Sequence, residues 1–139
     1  MEKKQQLDPA LVQEFVTKAH GDFERVKQLI EQESALVNAA WDWGGGDWET
    51  GLGAAAHVGH RDIAEYLLTR GARLDIFAAA MLGYIEIVQA MVAQNPASLS
   101  LRGPHGIPLL IHAQAGSDRS AEVLAFLKEQ MANSRGGGI

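Results

Sequence analysis

Apolar residues recur at helical spacing in four segments of the 139-residue chain, and a glycine stands shortly before each segment. Intervals of three and four residues between apolar positions are typical of amphipathic helices. The recurring apolar positions are Val26, Leu29 and Ile30; Ile63, Leu67 and Leu68; Ile87, Val88, Met91 and Val92; and Val123, Phe126 and Leu127. A shorter stretch of small or apolar residues leads into each glycine. The pattern predicts four pairs of short antiparallel helices.

The turn inside each predicted pair contains one of four glycines, namely Gly21, Gly59, Gly83 and Gly116. Glycine readily takes the left-handed conformation that ends a helix and reverses the chain, so we expect that conformation at all four. Alanines at 54–56 and 78–80 would let the first helices of neighbouring pairs approach closely.

The segment from residue 50 to residue 75, TGLGAAAHVGHRDIAEYLLTRGARLD, resembles an ankyrin repeat. The positions that match the family pattern are Thr50, Leu52, Ala55, Ala56, Gly59, His60, Ile63, Leu67, Leu68, Gly71 and Ala72. Gly51 and Gly53 depart from it, since the family has proline and histidine there. The resemblance implies an all-α ankyrin-repeat solenoid whose concave face is lined by the first helices and by finger-like loops between units.

The predicted solenoid has about four helix-turn-helix units, at about 8–38, 50–73, 74–100 and 106–131. They form a single domain over 1–132, followed by a flexible tail over 133–139.

The spacing of the turn glycines predicts unequal connections between these units. The glycines lie 38, 24 and 33 residues apart (21 to 59, 59 to 83, 83 to 116), whereas an ankyrin unit has about 33 residues. One finger is therefore enlarged, the next is missing, and the last, through 102–106, has ordinary length. We expect a notch on the concave face where the finger is missing.

The enlarged loop, residues 41–50, contains all three tryptophans of the chain together with three carboxylates and a glycine triplet. Indole side chains bury a large area, have a polar N–H and are enriched at binding sites. The glycines permit a tight path or a moving lid. We therefore predict ligand or partner binding by Trp41, Asp42, Trp43 and Trp48. The structural alternative is that one or two tryptophans fold back over the core.

Further candidates lie on the predicted first helices. His57, Met81 and Gln114 each stand two residues before a turn glycine, where the side chain is expected to point into the concave groove. His112 is unusual because it occupies a position that is normally a small alanine. We predict that Phe77, Met81, His112 and Gln114 contribute to ligand or partner binding, and interpret His20 and His60 as turn residues.

Two kinds of site chemistry follow from these residues. Asp47 and Glu49, with His57 and His105 across the notch, are candidate catalytic groups for acid–base chemistry in an enclosed site. A metal site is the other possibility, because His57 and His60 have HxxH spacing and Asp47, Glu49, His105 and His112 can converge on one pocket. Since no contiguous ligand motif is present, we predict no metal and no cofactor.

Composition excludes several function classes. Twelve Lys and Arg against seventeen Asp and Glu give a net charge of −5, which argues against nucleic-acid binding. No apolar stretch approaches the roughly 20 residues that span a bilayer, and MEKKQQLDPA lacks a signal-peptide apolar region, so we expect no membrane association. The absence of cysteine excludes disulfides and thiolate ligands. We expect a cytoplasmic protein.

Two functions therefore stand as hypotheses. In the first, the chain is a binding module that grips a partner protein with its concave face and the loop 41–50, as most ankyrin-repeat proteins do. In the alternative, it binds or acts on a small molecule in a pocket between that loop and the inner helices. Convergence of Trp43, Trp48 and the four acid–base candidates on one cavity would favour the alternative, and an open, flat arrangement would favour the first.

Overall fold

The predicted helix pairs are present in the computed structural model, which describes residues 4–136. The molecule is mostly helical, with 69% of residues in helices and 6% in strands, which confirms the all-α class. The α-helices of the described range are α1 (Pro9–Lys18), α2 (Phe23–Gln32), α3 (Gly51–His57), α4 (Arg61–Thr69), α5 (Ile76–Leu82), α6 (Ile85–Gln94), α7 (Leu109–Ala115) and α8 (Ala121–Gly136). The two strands are β1 (Ala40–Asp42) and β2 (Trp48–Thr50).

Several helices begin at a side chain that accepts a hydrogen bond from a backbone N–H of the first turn. Such caps satisfy donors that have no partner inside the helix, and each contributes about 1 kcal/mol. The capping residues are Asp8 for α1, Asp22 for α2, Thr50 for α3, His60 for α4 and Asp75 for α5. The sequence thus specifies these helix starts locally, before any packing between units.

The first helices of the pairs form one continuous row, in which α3 packs against both α1 and α5, and α5 packs in turn against α7. The alanines at 54–56 and 78–80 are fully buried between these helices. Small side chains bring neighbouring helix axes close together, and the long aliphatic residues of the second helices fill the remaining space.

The four turn glycines fall into two classes. Gly59 and Gly83 adopt left-handed φ values of +73° and +81°, as predicted. The prediction is wrong for Gly21 and Gly116, because neither has a positive φ, and next to Gly116 it is Ser117 that has a φ of +55°. Glycine is required at position 116 for a different reason, because a side chain does not fit there. A Cβ would clash with the Met81 carbonyl oxygen.

The connections between the pairs are unequal. Between α2 and α3 the chain forms a 3₁₀ turn (Ser34–Asn38) and the β1–β2 hairpin. Between α4 and α5 it runs through residues 70–75 without a strand. Between α6 and α7 it forms 3₁₀ turns at Pro96–Ser100 and Pro104–Gly106, and a single bridge pairs Arg102 with Pro108. We call residues 102–108 the second finger and residues 40–50 the hairpin.

The last helix extends further than the sequence indicates. α8 continues to Gly136, whereas the predicted domain ends at residue 132 and a flexible tail was expected over 133–139. Residues 137–139 lie outside the described residues. Among the described helices, none combines the length and the apolar character that crossing a bilayer requires.

Candidate functional site

The hairpin owes its shape to the glycine triplet. β1 and β2 pair antiparallel with Trp41 opposite Glu49, and Gly44, Gly45 and Gly46 turn the chain with φ values of +137°, +64° and +88°. Three consecutive positive φ values favour glycine at each position. The Asp42 carboxylate accepts hydrogen bonds from the N–H groups of Gly44 (2.8 Å) and Gly46 (3.0 Å). Asp42, a predicted binding residue, is thus engaged in closing this turn.

The three tryptophans have three different environments. Trp41 packs against the core, as the structural alternative anticipated. Trp43 donates its indole N–H to Oε1 of Glu49 at 2.9 Å. Trp48 is 60% exposed and lines a cleft of about 350 Å³ between the hairpin and the second finger. Trp41 and Trp48 also line a groove of about 540 Å³ against the N-terminal segment, and Trp43 is not part of it. The three tryptophans therefore do not line one common cavity.

The hairpin places a carboxylate in the interior. Glu49 lies on β2, and its side chain has no exposed surface. Oε1 accepts the Trp43 hydrogen bond, whereas Oε2 accepts none from the backbone or from a side chain other than histidine. Burying an ionised carboxylate is costly unless a charge or hydrogen-bond donors compensate it. Oε2 is therefore the atom whose surroundings must be explained.

Three imidazoles surround this carboxylate, each from a different part of the fold. His57, at the end of α3, places Nε2 3.0 Å from Oε2, and His105, on the second finger, places Nε2 3.4 Å from the same oxygen. His20, in the α1–α2 turn, places Nε2 3.3 Å from Oε1 and 3.1 Å from Nε2 of His57. One ligand atom from each of the four residues fits within a 4.8 Å limit on all separations. We call His20, Glu49, His57 and His105 the four-residue cluster.

Two of the imidazoles are oriented by hydrogen bonds from the ring nitrogen that faces away from the cluster. Nδ1 of His20 lies 3.0 Å from the Val16 carbonyl oxygen and 3.1 Å from that of Thr17. Nδ1 of His105 lies 2.7 Å from Oδ2 of Asp47. Because carbonyl and carboxylate oxygens only accept, Nδ1 is the protonated nitrogen in both rings. When such a ring is neutral, its Nε2 lone pair points into the cluster, as in metal-ligating histidines. When the ring is protonated, Nε2–H faces the Glu49 carboxylate instead.

His105 is held in a conformation that a non-glycine residue rarely adopts. Its backbone has φ +61° and ψ +19°. Oδ1 of Asp47 accepts a hydrogen bond from the His105 backbone N–H at 2.7 Å, so Asp47 fixes both the backbone and the ring. Local strain of this kind persists where surrounding contacts enforce it, and it is frequent at ligand clamps.

The protonation state of the cluster follows from its contacts. Burial acts to raise the pKa of Glu49, but protonated imidazoles of His20 and His57 that donate to the carboxylate, together with the Trp43 indole N–H, outweigh it and lower that pKa to about 2. The Glu49 carboxylate in turn raises the pKa of His20. Glu49 is thus an anion near neutral pH, and the atoms nearest to it are ring nitrogens.

The separations between these atoms are compatible with coordination of one ion. Donor atoms about 2.0–2.1 Å from one metal ion lie about 3.0 Å apart in an octahedron and about 3.4 Å apart in a tetrahedron. Separations in the cluster are 3.0 and 3.4 Å from Glu49 Oε2 to two imidazoles, and 3.1 Å between His20 and His57. These residues can therefore hold a metal ion.

The remaining predicted binding residues lie elsewhere. Met81 and His112 are fully buried, because α5 is packed between α3 and α7 and because the His112 ring lies against Phe77 at 4.8 Å. This removes both from any surface that a partner can reach. Phe77 is half-buried and lines the same cleft as Trp48, and Gln114 is exposed on α7.

Sequence reasoning missed His20, which we interpreted as a turn residue. A signal was present, because both histidines lie close to the turn of their helix pair. His20 stands one residue before Gly21, and His57 stands two residues before Gly59. His60, by contrast, caps α4 by accepting the Ile63 N–H at Nδ1, which accords with a turn role. The HxxH pair of His57 and His60 does not converge.

A scan against protein-family models and a search of curated proteins found no match to this chain.

Proposed function

We propose that this chain is a metal-binding protein in which His20, Glu49, His57 and His105 hold one divalent transition-metal ion. The observation that carries the proposal is the buried Oε2 of Glu49, which lies 3.0 and 3.4 Å from two imidazole nitrogens and accepts no hydrogen bond from the backbone or from a side chain other than histidine. A cation at that point would compensate the buried charge and use the lone pairs that the rings direct inward.

A proton is the alternative to a metal ion as the charge that compensates Glu49. The Nε2 atoms of His20 and His57, 3.1 Å apart, can share one proton, and Glu49 would neutralise the resulting imidazolium. A proton shared by His20 and His57 gives no role to Nε2 of His105, which also faces Glu49 at 3.4 Å. A metal ion uses all three rings at once, which favours it.

The donor set indicates the class of ion. Three imidazoles and one carboxylate suit zinc, iron, cobalt, nickel or copper, which accept nitrogen ligands. Calcium and magnesium prefer all-oxygen sites. A nitrogen-rich site therefore favours a first-row transition metal.

The proposal includes an ankyrin-like repeat fold for the chain. Support comes from the row of stacked first helices and from Thr50 and His60, which cap the two helices of the second pair. The metal ligands would then come from several units, and the ion would tie together the α1–α2 turn, the hairpin, α3 and the second finger. The partner-protein hypothesis is supported by the exposed Trp43 and Trp48, and Trp48 does not share a cavity with the cluster. The convergence of Glu49, His57 and His105 favours a small ligand.

The test is isothermal titration of chelator-treated protein with Zn²⁺ and Co²⁺. We expect one ion per chain for the wild type and an affinity at least about 100-fold lower for His57→Ala, because even residues that only support a ligand contribute about 10–100-fold. His60→Asn is the matched control, since it removes the other histidine of the HxxH pair and keeps a capping side chain. Absence of binding to the wild type, or an equal loss in both variants, would contradict the proposal.

A further inference from the structure

We propose that the bound ion keeps an open coordination position beside Trp43 and that this position takes a small anion. The inference rests on the proposed metal site and adds what that site binds. The arrangement would then serve a small anionic ligand, rather than acting only as a closed structural clamp.

Glu49 is positioned to supply one oxygen to the ion. Its Oε1 accepts the indole N–H of Trp43, so Oε2 is the oxygen free to coordinate. Both Asp47 oxygens are engaged by His105. Within residues 4–136, the group of possible metal ligands at this place comprises the four-residue cluster and no further His, Cys, Asp or Glu. The protein therefore offers four ligand atoms, which leaves one or two positions on an ion that accepts five or six.

The protein covers this place from one side. Glu49 forms its floor and is completely buried, whereas the side chains of His20, His57 and His105 are 29%, 14% and 34% exposed. Each imidazole is thus partly accessible to solvent, so a small ligand can reach an ion held between the rings.

The Trp43 ring lies next to the four-residue cluster. The Trp43 side chain is partly exposed, and its ring centroid lies 6.0 Å from that of His105 and 6.5 Å from that of His20. An indole in this place offers a flat apolar surface next to a charged centre. It limits the size of the ligand on that side and partly shields the ligand from water.

Charge selects the class of ligand. A divalent ion with one carboxylate ligand keeps one positive charge among its directly bound groups, and the Asp47 carboxylate lies beyond the His105 ring. Opposite charges attract more strongly where water is partly excluded. We therefore assign the position to small anions with an oxygen or nitrogen donor, of which acetate and azide are convenient probes.

The experiment uses cobalt(II) absorption in two stages, so that the two proposals fail separately. Co²⁺ is first titrated into chelator-treated protein, and visible d–d bands are expected to saturate at one ion per chain. Azide, acetate and neutral imidazole are then titrated into the loaded protein. We expect saturable band shifts with azide and acetate, and at least tenfold weaker binding of imidazole.

The Trp43→Phe variant tests the role of the indole N–H. Phenylalanine keeps an aromatic wall but frees Oε1, so that Glu49 can bind through both oxygens and occupy the open position. We expect Co²⁺ still to bind and azide affinity to fall at least tenfold, with Trp48→Phe as the matched control.

The outcomes are distinct. Bands that form with Co²⁺ but do not respond to azide or acetate would overturn the open position while leaving the metal site in place. Binding of imidazole as tightly as azide would overturn the preference for anions. Azide affinity that is unchanged in Trp43→Phe would overturn the assigned role of the indole. Failure of Co²⁺ to bind at all would overturn both proposals.

Discussion

Two buried polar atoms of this protein look alike in isolation and differ completely in their surroundings. Glu49 Oε2 and His112 Nε2 are both buried, and neither has a hydrogen bond with the backbone or with a side chain other than histidine. Oε2 faces the Nε2 atoms of two imidazoles, His57 and His105. Nε2 of His112 lies beside Gly103 and the Phe77 ring. An unpartnered buried atom thus indicates a binding site only where other ligand atoms converge on it.

The two residues also differ in charge. The contacts of Glu49 lower its pKa to about 2, so it is an anion in the folded protein. Burial lowers the pKa of His112 and favours the neutral ring, whose Nδ1 faces the Pro108 carbonyl oxygen at 2.9 Å. The surroundings of Glu49 therefore favour a bound cation, whereas those of His112 disfavour a positive charge.

Replacing the carboxylate should have the largest effect. Glu49→Gln keeps the size of the side chain but removes the only anionic ligand, so metal affinity is expected to fall at least about 100-fold, beyond the 10–100-fold typical of supporting residues. Titration calorimetry measures the change. His112→Leu changes the other buried atom and should leave affinity within about twofold. Equal losses in the two variants would abolish the distinction between the two environments.

Metal should also stabilise the folded chain. A ligand that binds only the folded state adds about 2.7 kcal/mol to the free energy of unfolding when its concentration is 100 times its dissociation constant. Urea unfolding of the wild type with and without Zn²⁺ should show this increase. His57→Ala at the same Zn²⁺ concentration should show little of it. A comparable gain in the variant would mean that the ion binds elsewhere.

Asp47 should matter through His105. It holds the ring and the backbone of His105 by two contacts of 2.7 Å, and loss of such support typically lowers metal affinity about 10–100-fold. We expect a decrease in this range for Asp47→Asn. Asp62→Asn, at an exposed position on α4, is the control and should bind as the wild type does. Wild-type metal affinity in Asp47→Asn would show that His105 does not depend on Asp47 for its orientation.

The smallest effect concerns acid stability at His112. Burial lowers the pKa of His112 below its ordinary value of 6.5, so the unfolded chain takes up this proton at a higher pH than the folded chain. The free energy of unfolding should therefore decrease as the pH falls below 6.5, while above 6.5 both states are neutral and the residue adds no pH dependence. His112→Leu should flatten this decrease. Parallel curves for the two proteins would contradict a neutral, buried imidazole.

Much of the helical framework could be predicted from the sequence, because it depends on local signals. Apolar spacing predicted the helix pairs, and side chains such as Asp22, Thr50 and Asp75 mark helix starts by capping them. Gly116 shows the limit of local reasoning. Its role is set by the Met81 carbonyl of another helix, and that contact does not exist until the units stack.

The candidate site could be predicted only in part, because its final arrangement depends on packing between the units. Asp47, Glu49, His57 and His105 were grouped correctly as residues that come together, since the loop and the second finger flank a shortened connection. Their individual roles depend on ring orientation and on which oxygen accepts which N–H, and residue type does not determine either. His20 was missed because only packing of α1 against the hairpin brings its turn to Glu49.

The central claim is that one ion binds among these four residues, and anomalous X-ray diffraction from a crystal grown with Zn²⁺ tests it most directly. We expect one strong peak about 2.0–2.2 Å from Nε2 of His20, His57 and His105 and from an oxygen of Glu49. No peak within the four-residue cluster, at a zinc concentration that saturates binding in solution, would contradict it.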